Sequence, residues 1–349
     1  MKSTLSFVLV LLFFCSAKAE PWTVYGNGVA AYDSTLAPSG KSGETAFSIP
    51  QMQVGVHNVF SEKTEFSFII DAGESRDDTS KQYDVRLNEF LISSRPKIEN
   101  NTVLSIGLLP KPDLVQFREF WSDYFILESH SVATFQGYLP AHDLGAQISQ
   151  NFGAEGKGTI VFQVTNGEGD RSDETGRRKD AFLYVDFSDD NRWTISLFAN
   201  EGSYDNIDPK KSDRDRWGAR LQYFTADSVS FRGFNLQVLE SRDAVDGLAA
   251  DFAEKVVLPV GTIAFGRAVQ AWIVGNRDPW GWLLGFSLQD PETRIASNSI
   301  QKTYAGLNYE WEPGFKSALQ IEHIHFDKKH SPGIQDHQQV RFLTRIDFD

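Results

Sequence analysis

From Trp22 to the end of the chain, apolar and polar side chains alternate over stretches of roughly ten to fifteen residues, broken by polar punctuation. The segments 193–197, 216–223, 302–311 and 340–348 show it plainly. A period of two puts every second side chain on one face of an extended strand. No stretch after residue 20 is a continuous apolar run of the ~20 residues that a spanning helix needs. If such a chain enters a membrane, it must do so as a closed barrel, because only helices and barrels satisfy their backbone in lipid.

Placing every alternating segment predicts about sixteen strands, at ~20 residues per strand with its connection, a usual value for membrane barrels. They are expected to start near Trp22, Ala46, Lys63, Lys81, Thr102, His142, Gly158, Arg178, Asn191, Asp213, Val229, Gly261, Gly281, Ile300, Phe315 and Asp336. The connections alternate in length. Short ones fall at 61–62, 96–101, 153–157, 189–190, 226–227, 276–279 and 312–314. Long ones fall at 34–45, 74–80, 111–141, 167–176, 202–212, 242–260, 290–298 and 327–335. Short turns at one end and long loops at the other characterise bacterial outer-membrane barrels. A soluble β-sandwich has no reason to alternate so regularly. The face chemistry agrees: Trp217, Ala219, Leu221 and Tyr223 share one face, and Arg216, Gly218, Arg220 and Gln222 the other. Trp193, Trp217, Trp280, Trp282, Tyr309 and Trp311 fall near strand ends, where interfacial aromatic girdles form.

The first nineteen residues read as a leader. Met1-Lys2, the apolar run Leu5–Phe14 and Ala17-Lys18-Ala19 describe a secretory signal peptide cleaved after Ala19, with the barrel domain over 20–349. Cys15, the single cysteine, lies inside that leader, so the mature chain holds no thiolate site. A lipoprotein reading of Cys15 is opposed by Phe14, where a small residue is expected. The formal net charge is −13, and it falls further when Lys2 and Lys18 leave. Nucleic acid is not expected as a partner.

Several short stretches resemble sixteen-stranded Gram-negative outer-membrane porins. Trp22–Gly26 is similar to their first strand. Gly107-Leu108-Leu109-Pro110-Lys111-Pro112, followed by a long loop, resembles the strand entering the constriction loop in the phosphate-selective O/P group and its relatives. Gly137-Tyr138 and His142–Ile148 resemble the strand that returns, and Val164–Gly169 the strand end that follows. The resemblance implies a homotrimer of sixteen-stranded barrels with loop three folded inward. It also implies passive diffusion of small hydrophilic solutes or ions, with anions preferred, in an outer membrane of phospholipid and lipopolysaccharide. Two departures stand out: the loops are acidic, and the chain ends Phe348-Asp349, with the terminal aromatic one position early.

Loop three, 111–141, carries Lys111, Asp113, Arg118, Glu119 and Asp123 beside an apolar set that includes Phe117, Phe120, Trp121 and Tyr124. A loop lying in water needs no such apolar set; one folded into the barrel packs it on the wall and turns its charges to the lumen. Arg86, Arg216, Arg220, Arg341 and Arg345 fall on the inward phase, because a lipid-facing arginine near the midplane costs ~2–4 kcal/mol. Opposed charges across a constriction would orient polar solutes. Each arginine could equally stiffen the wall through a salt bridge. Arg267 breaks the phase, falling with Phe265 and Val269. Small residues Gly26, Gly28 and Ala30 on the first strand would suit close subunit packing. His323 and His325 share a face, but no carboxylates stand at ligand spacing, and neither metal nor cofactor is expected. No nucleophile elbow or phosphate loop is present. The alternatives are a barrel enzyme of lipase or protease type and a structural or receptor barrel with a blocked lumen.

Overall fold

The computed structural model describes residues 21–37, 45–74, 83–96, 101–113, 139–153, 157–167, 179–189, 192–203, 214–225, 231–244, 263–290, 293, 299–327 and 336–348. The leader at 1–19 and most of loop three, with Arg118, Glu119 and Asp123, lie outside them.

Sixteen antiparallel strands close on themselves, each paired with its sequence neighbours and β1 with β16. In chain order they are β1 Thr23–Ala37, β2 Thr45–Ser61, β3 Thr64–Glu74, β4 Tyr83–Ser94, β5 Thr102–Pro110, β6 His142–Phe152, β7 Gly158–Thr165 and β8 Asp180–Asp189. They continue with β9 Trp193–Glu201, β10 Arg214–Phe224, β11 Gly233–Ala244, β12 Ile263–Arg277, β13 Trp280–Asp290, β14 Ile300–Glu312, β15 Phe315–Phe326 and β16 His337–Phe348. The strand count and order are as the alternation predicts. The widest offset separates the expected start at Val229 from the observed Gly233.

The barrel is inverted relative to a soluble protein. On β13, Leu284 and Phe286 point outward and are 48% and 39% exposed, while inward Ser287 is 1% exposed. Lipid takes the place of a core on the outside, so apolar exposure is the stable arrangement. The start of β1, the end of β16 and the short turns share one end, where Trp22 meets Phe60 and Phe66 edge-on. Aromatic contacts continue round this end through Phe66–Phe90, Phe152–Phe187, Trp193–Tyr223 and Trp280–Tyr309–Trp311. This is an interfacial girdle. Trp217 stands apart from it, on β10 near the long-loop end.

The closing seam pairs Gly26 on β1 with Phe348 on β16. A Cβ on Gly26 would fall 2.5 Å from the Phe348 ring, so the glycine makes room for the last aromatic side chain of the barrel. β5 pairs with β4 only from Phe90↔Leu108 to Ser94↔Leu104. Beyond Leu108 the chain leaves β4, and Lys111–Asp113 turns into the lumen.

Candidate pore wall and loop root

The two ends of loop three meet and pack against the inner wall. The Lys111 N–H donates to the Ala141 carbonyl at 3.0 Å. Leu139 is 3% exposed and packs with Val161, Phe182, Tyr184, Leu239 and Ala268, inward residues of β7, β8, β11 and β12. Stacked Phe182 and Phe198 extend this patch. It is an apolar face on the side of the sheet that alternation alone assigns to water.

Charges fix the same root. Lys111 is fully buried and donates through Nζ to the Thr165 hydroxyl at 3.1 Å. Its ammonium lies 3.9 Å from the Asp143 carboxylate and 5.5 Å from the centre of the Phe182 ring. Burial lowers the Lys111 pKa below the usual lysine value, and Asp143 and Asp180 oppose that shift. Asp143 also accepts from the Gly167 N–H at 2.6 Å. Gly167 has φ +86°, and its missing side chain leaves space for the Asp180–Arg214 pair, 2.6 Å apart. The Asn166-Gly167 step therefore serves the loop root by bringing a backbone donor to Asp143.

Arg220 is the other tie. From β10 it donates to the Asp113 carbonyl at 3.2 Å, the Tyr184 hydroxyl at 2.8 Å and the Ser196 hydroxyl at 3.0 Å. Asp113, Tyr184, Ser196, Phe198, Ala219, Arg220 and Gln237 surround a small cleft there. Arg216 is bound to Asp243 at 2.5 Å. Arg216 and Arg220 are 3% and 5% exposed, so the structure places them in the wall and at the loop root.

The opposite wall, β1–β4 with β14–β16, keeps half-exposed inward charges. Arg86 lies 3.8 Å from Asp71, and Arg345 is 2.7 Å from Asp347. Arg341 lies 3.1 Å from Asp33 and 3.8 Å from Glu322. Lys302 is 3.9 Å from Glu322, and Lys316 is 3.8 Å from Glu310. Arg86, Arg341 and Arg345 are thus on the inward face, each beside a carboxylate. His323 and His325 both face outward from β15, and His325 Nδ1 lies 3.0 Å from Asp336.

Sequence reasoning missed the dry sector of wall formed by Phe182, Tyr184, Phe198 and Leu239. The signal was present: once the strand phases are assigned, these are apolar residues on the inward phase. Arg267, the residue that broke the phase, does point outward, where it is ion-paired with Glu240.

A closed antiparallel barrel of sixteen strands with the root of its longest loop inside the lumen defines the architecture of porins. Solved structures with this architecture match along almost the whole chain. The anion-selective porin from Comamonas acidovorans is 12% identical, with TM-score 0.65, over 95% of this chain and 100% of that one. OmpF of Salmonella typhi, solved in complex with daunomycin, is 9% identical, with TM-score 0.65, over 94% and 97%. The outer membrane channel DcaP of Acinetobacter baumannii is 10% identical, with TM-score 0.64, over 95% and 98%. At these identities the likeness is one of fold. No family model and no curated sequence matches the chain.

Proposed function

We propose that this protein is a Gram-negative outer-membrane porin that lets small hydrophilic solutes and ions diffuse through a water-filled lumen. The observation that carries the reading is the division of the inner wall. One sector is dry and holds both ends of the longest loop. The facing sector keeps partly exposed charged side chains, Arg86, Arg341 and Arg345 at 22%, 19% and 19%, beside a small buried apolar patch of Val29, Ala31, Ala318 and Leu343. A fully packed interior gives no reason to leave three arginines of one sector partly exposed.

In this reading loop three forms the constriction, with Arg118, Glu119 and Asp123 on its lumen side. Lys111, Asp113 and Arg220 hold its root, Arg216 stiffens the wall beside it through Asp243, and Arg86, Arg341 and Arg345 form the wall that a solute meets. Solutes are sorted first by polarity, through the transverse field between wall and loop. The likeness to the phosphate-selective group, and the name of the anion-selective neighbour, favour anions. Each arginine of the wall has a carboxylate beside it, so that preference is small. The leader is removed after Ala19, and the barrel assembles as a homotrimer in a lipopolysaccharide-bearing membrane. One neighbour, OmpT of Vibrio cholerae, was solved in a trimer form. The outward small residues Gly28 and Ala30, beside Gly26 under the Phe348 ring, could serve as the contact.

Reconstitution in planar bilayers under a salt gradient tests this. Discrete conductance steps are expected, with a reversal potential displaced slightly toward the anion side. A purified, folded barrel that never conducts would remove the porin reading in favour of a blocked-lumen barrel.

A further inference from the structure

Arg267 on β12 points away from the lumen with its side chain 61% exposed, and its position along the strand explains how it can. It pairs in register with Asp290, at the long-loop end of β13. Trp280, in the aromatic girdle, lies about ten residues below Asp290 on the same strand. At ~3.3 Å per residue and a tilt of ~40°, that separation is ~25 Å, the height of the apolar band of such a barrel. Arg267 therefore stands at the outer edge of the hydrocarbon, level with the headgroups on the long-loop side.

Its surroundings fix its orientation. Nε and Nη2 of Arg267 both donate to Glu240 Oε1, at 3.1 and 2.7 Å. Glu240 Oε2 accepts from the Trp217 indole N–H at 3.1 Å. Both carboxylate oxygens are thus engaged, and one edge of the guanidinium is held against them. Nη1 takes no part in that contact. Arg242, also outward, lies two residues further toward the long loops on β11, 3.9 Å from Asp215. Just below, Val238 and Leu236 present an apolar surface to acyl chains, 41% and 39% exposed. An oriented arginine above such a surface matches a phosphorylated lipid headgroup, since guanidinium binds phosphate through paired N–H donors.

We propose that Arg267, held by Glu240 and Trp217, is a binding site for a phosphate group on the glycolipid of the outer leaflet. The proposal rests on the outer-membrane reading but not on conduction, because Arg267 lies outside the lumen.

The test uses the full mature chain, folded in phosphatidylcholine nanodiscs, with lipid A and dephosphorylated lipid A as probes and native mass spectrometry of the retained lipid. Wild-type protein is expected to retain the phosphorylated form about tenfold more strongly, the worth of one charge-assisted contact. R267Q is expected to lose that margin and R267K to keep part of it. R277Q, an outward arginine at the opposite end of β12, is expected to leave it unchanged. All variants should keep wild-type conductance. Equal retention of the two lipids, or an R267Q variant indistinguishable from wild type, overturns the site. So does efficient disulfide cross-linking of R267C between barrels, which would assign this face to a second copy of the chain. A wild-type barrel that binds lipid A through Arg267 yet never conducts would overturn the porin reading alone.

Discussion

At the scale of single residues, the loop root rests on two buried cations that behave differently. Arg220 donates to the Asp113 carbonyl and the Tyr184 and Ser196 hydroxyls. An R220M substitution keeps much of the volume and removes all three bonds, leaving the Asp113 carbonyl without this donor. We expect a loss of about 1.5–3 kcal/mol in urea unfolding, the scale for a hydrogen bond from a charged donor. Single-channel current should also grow noisier as the root loosens. An unchanged unfolding midpoint would show that the tie adds nothing. Lys111 gives a pH signature. Its folded pKa is lowered by burial, so between that value and 10.5 the unfolded chain binds more protons than the folded one. Stability from this group therefore rises as pH is raised through that window. The wild-type melting temperature should gain on that of K111M as pH is raised toward 10.5, and parallel curves would contradict the assignment.

At the scale of strands, much was legible because lipid penalises errors of phase so heavily. The alternation in 216–223 and 340–348 gave the correct outward faces, and the alternating segments gave sixteen strands in the observed order. Three things were not legible, each for a physical reason. Register depends on cross-strand pairs, which a single sequence does not display, so boundaries shifted, as at Gly233. The dry sector around Phe182 and Leu139 depends on contact between segments far apart in the chain. Arg267 broke the phase because its height decides its cost, and height follows from register. Gly107 shows how one residue governs an element. It sits in β5 with φ +134°, and a Cβ there would lie 1.8 Å from the Phe90 carbonyl oxygen. It pairs with Leu91, within the short stretch that joins β4 to β5. G107A must therefore shift backbone and strain a left-handed residue. We expect at least about 2 kcal/mol of destabilisation, with faster amide exchange confined to β4 and β5. Uniform exchange across the barrel would instead point to a global effect.

For the whole molecule, the decisive quantity is the balance of charge along the open wall. Arg86, Arg341 and Arg345 face Asp71, Asp33, Glu322 and Asp347 at 2.7–3.8 Å. The partly exposed pairs with Asp71, Asp33 and Asp347 contribute at most ~1 kcal/mol each to stability, and Lys302 stays beside the buried Glu322, so removing the three cations should leave the barrel folded. The electrical consequence is larger. In R86Q/R341Q/R345Q three positive charges go and their carboxylates stay, and the anion preference proposed above should give way to a cation preference. Screening sets where the change is visible: charges act over ~10 Å at 0.1 M salt but only ~3 Å at 1 M. The reversal potential of the triple variant should thus change sign in dilute KCl gradients and return toward zero in concentrated ones. If it instead tracks wild type at every concentration, the conducting path does not run along this wall. The charged residues of loop three would then have to carry the selectivity.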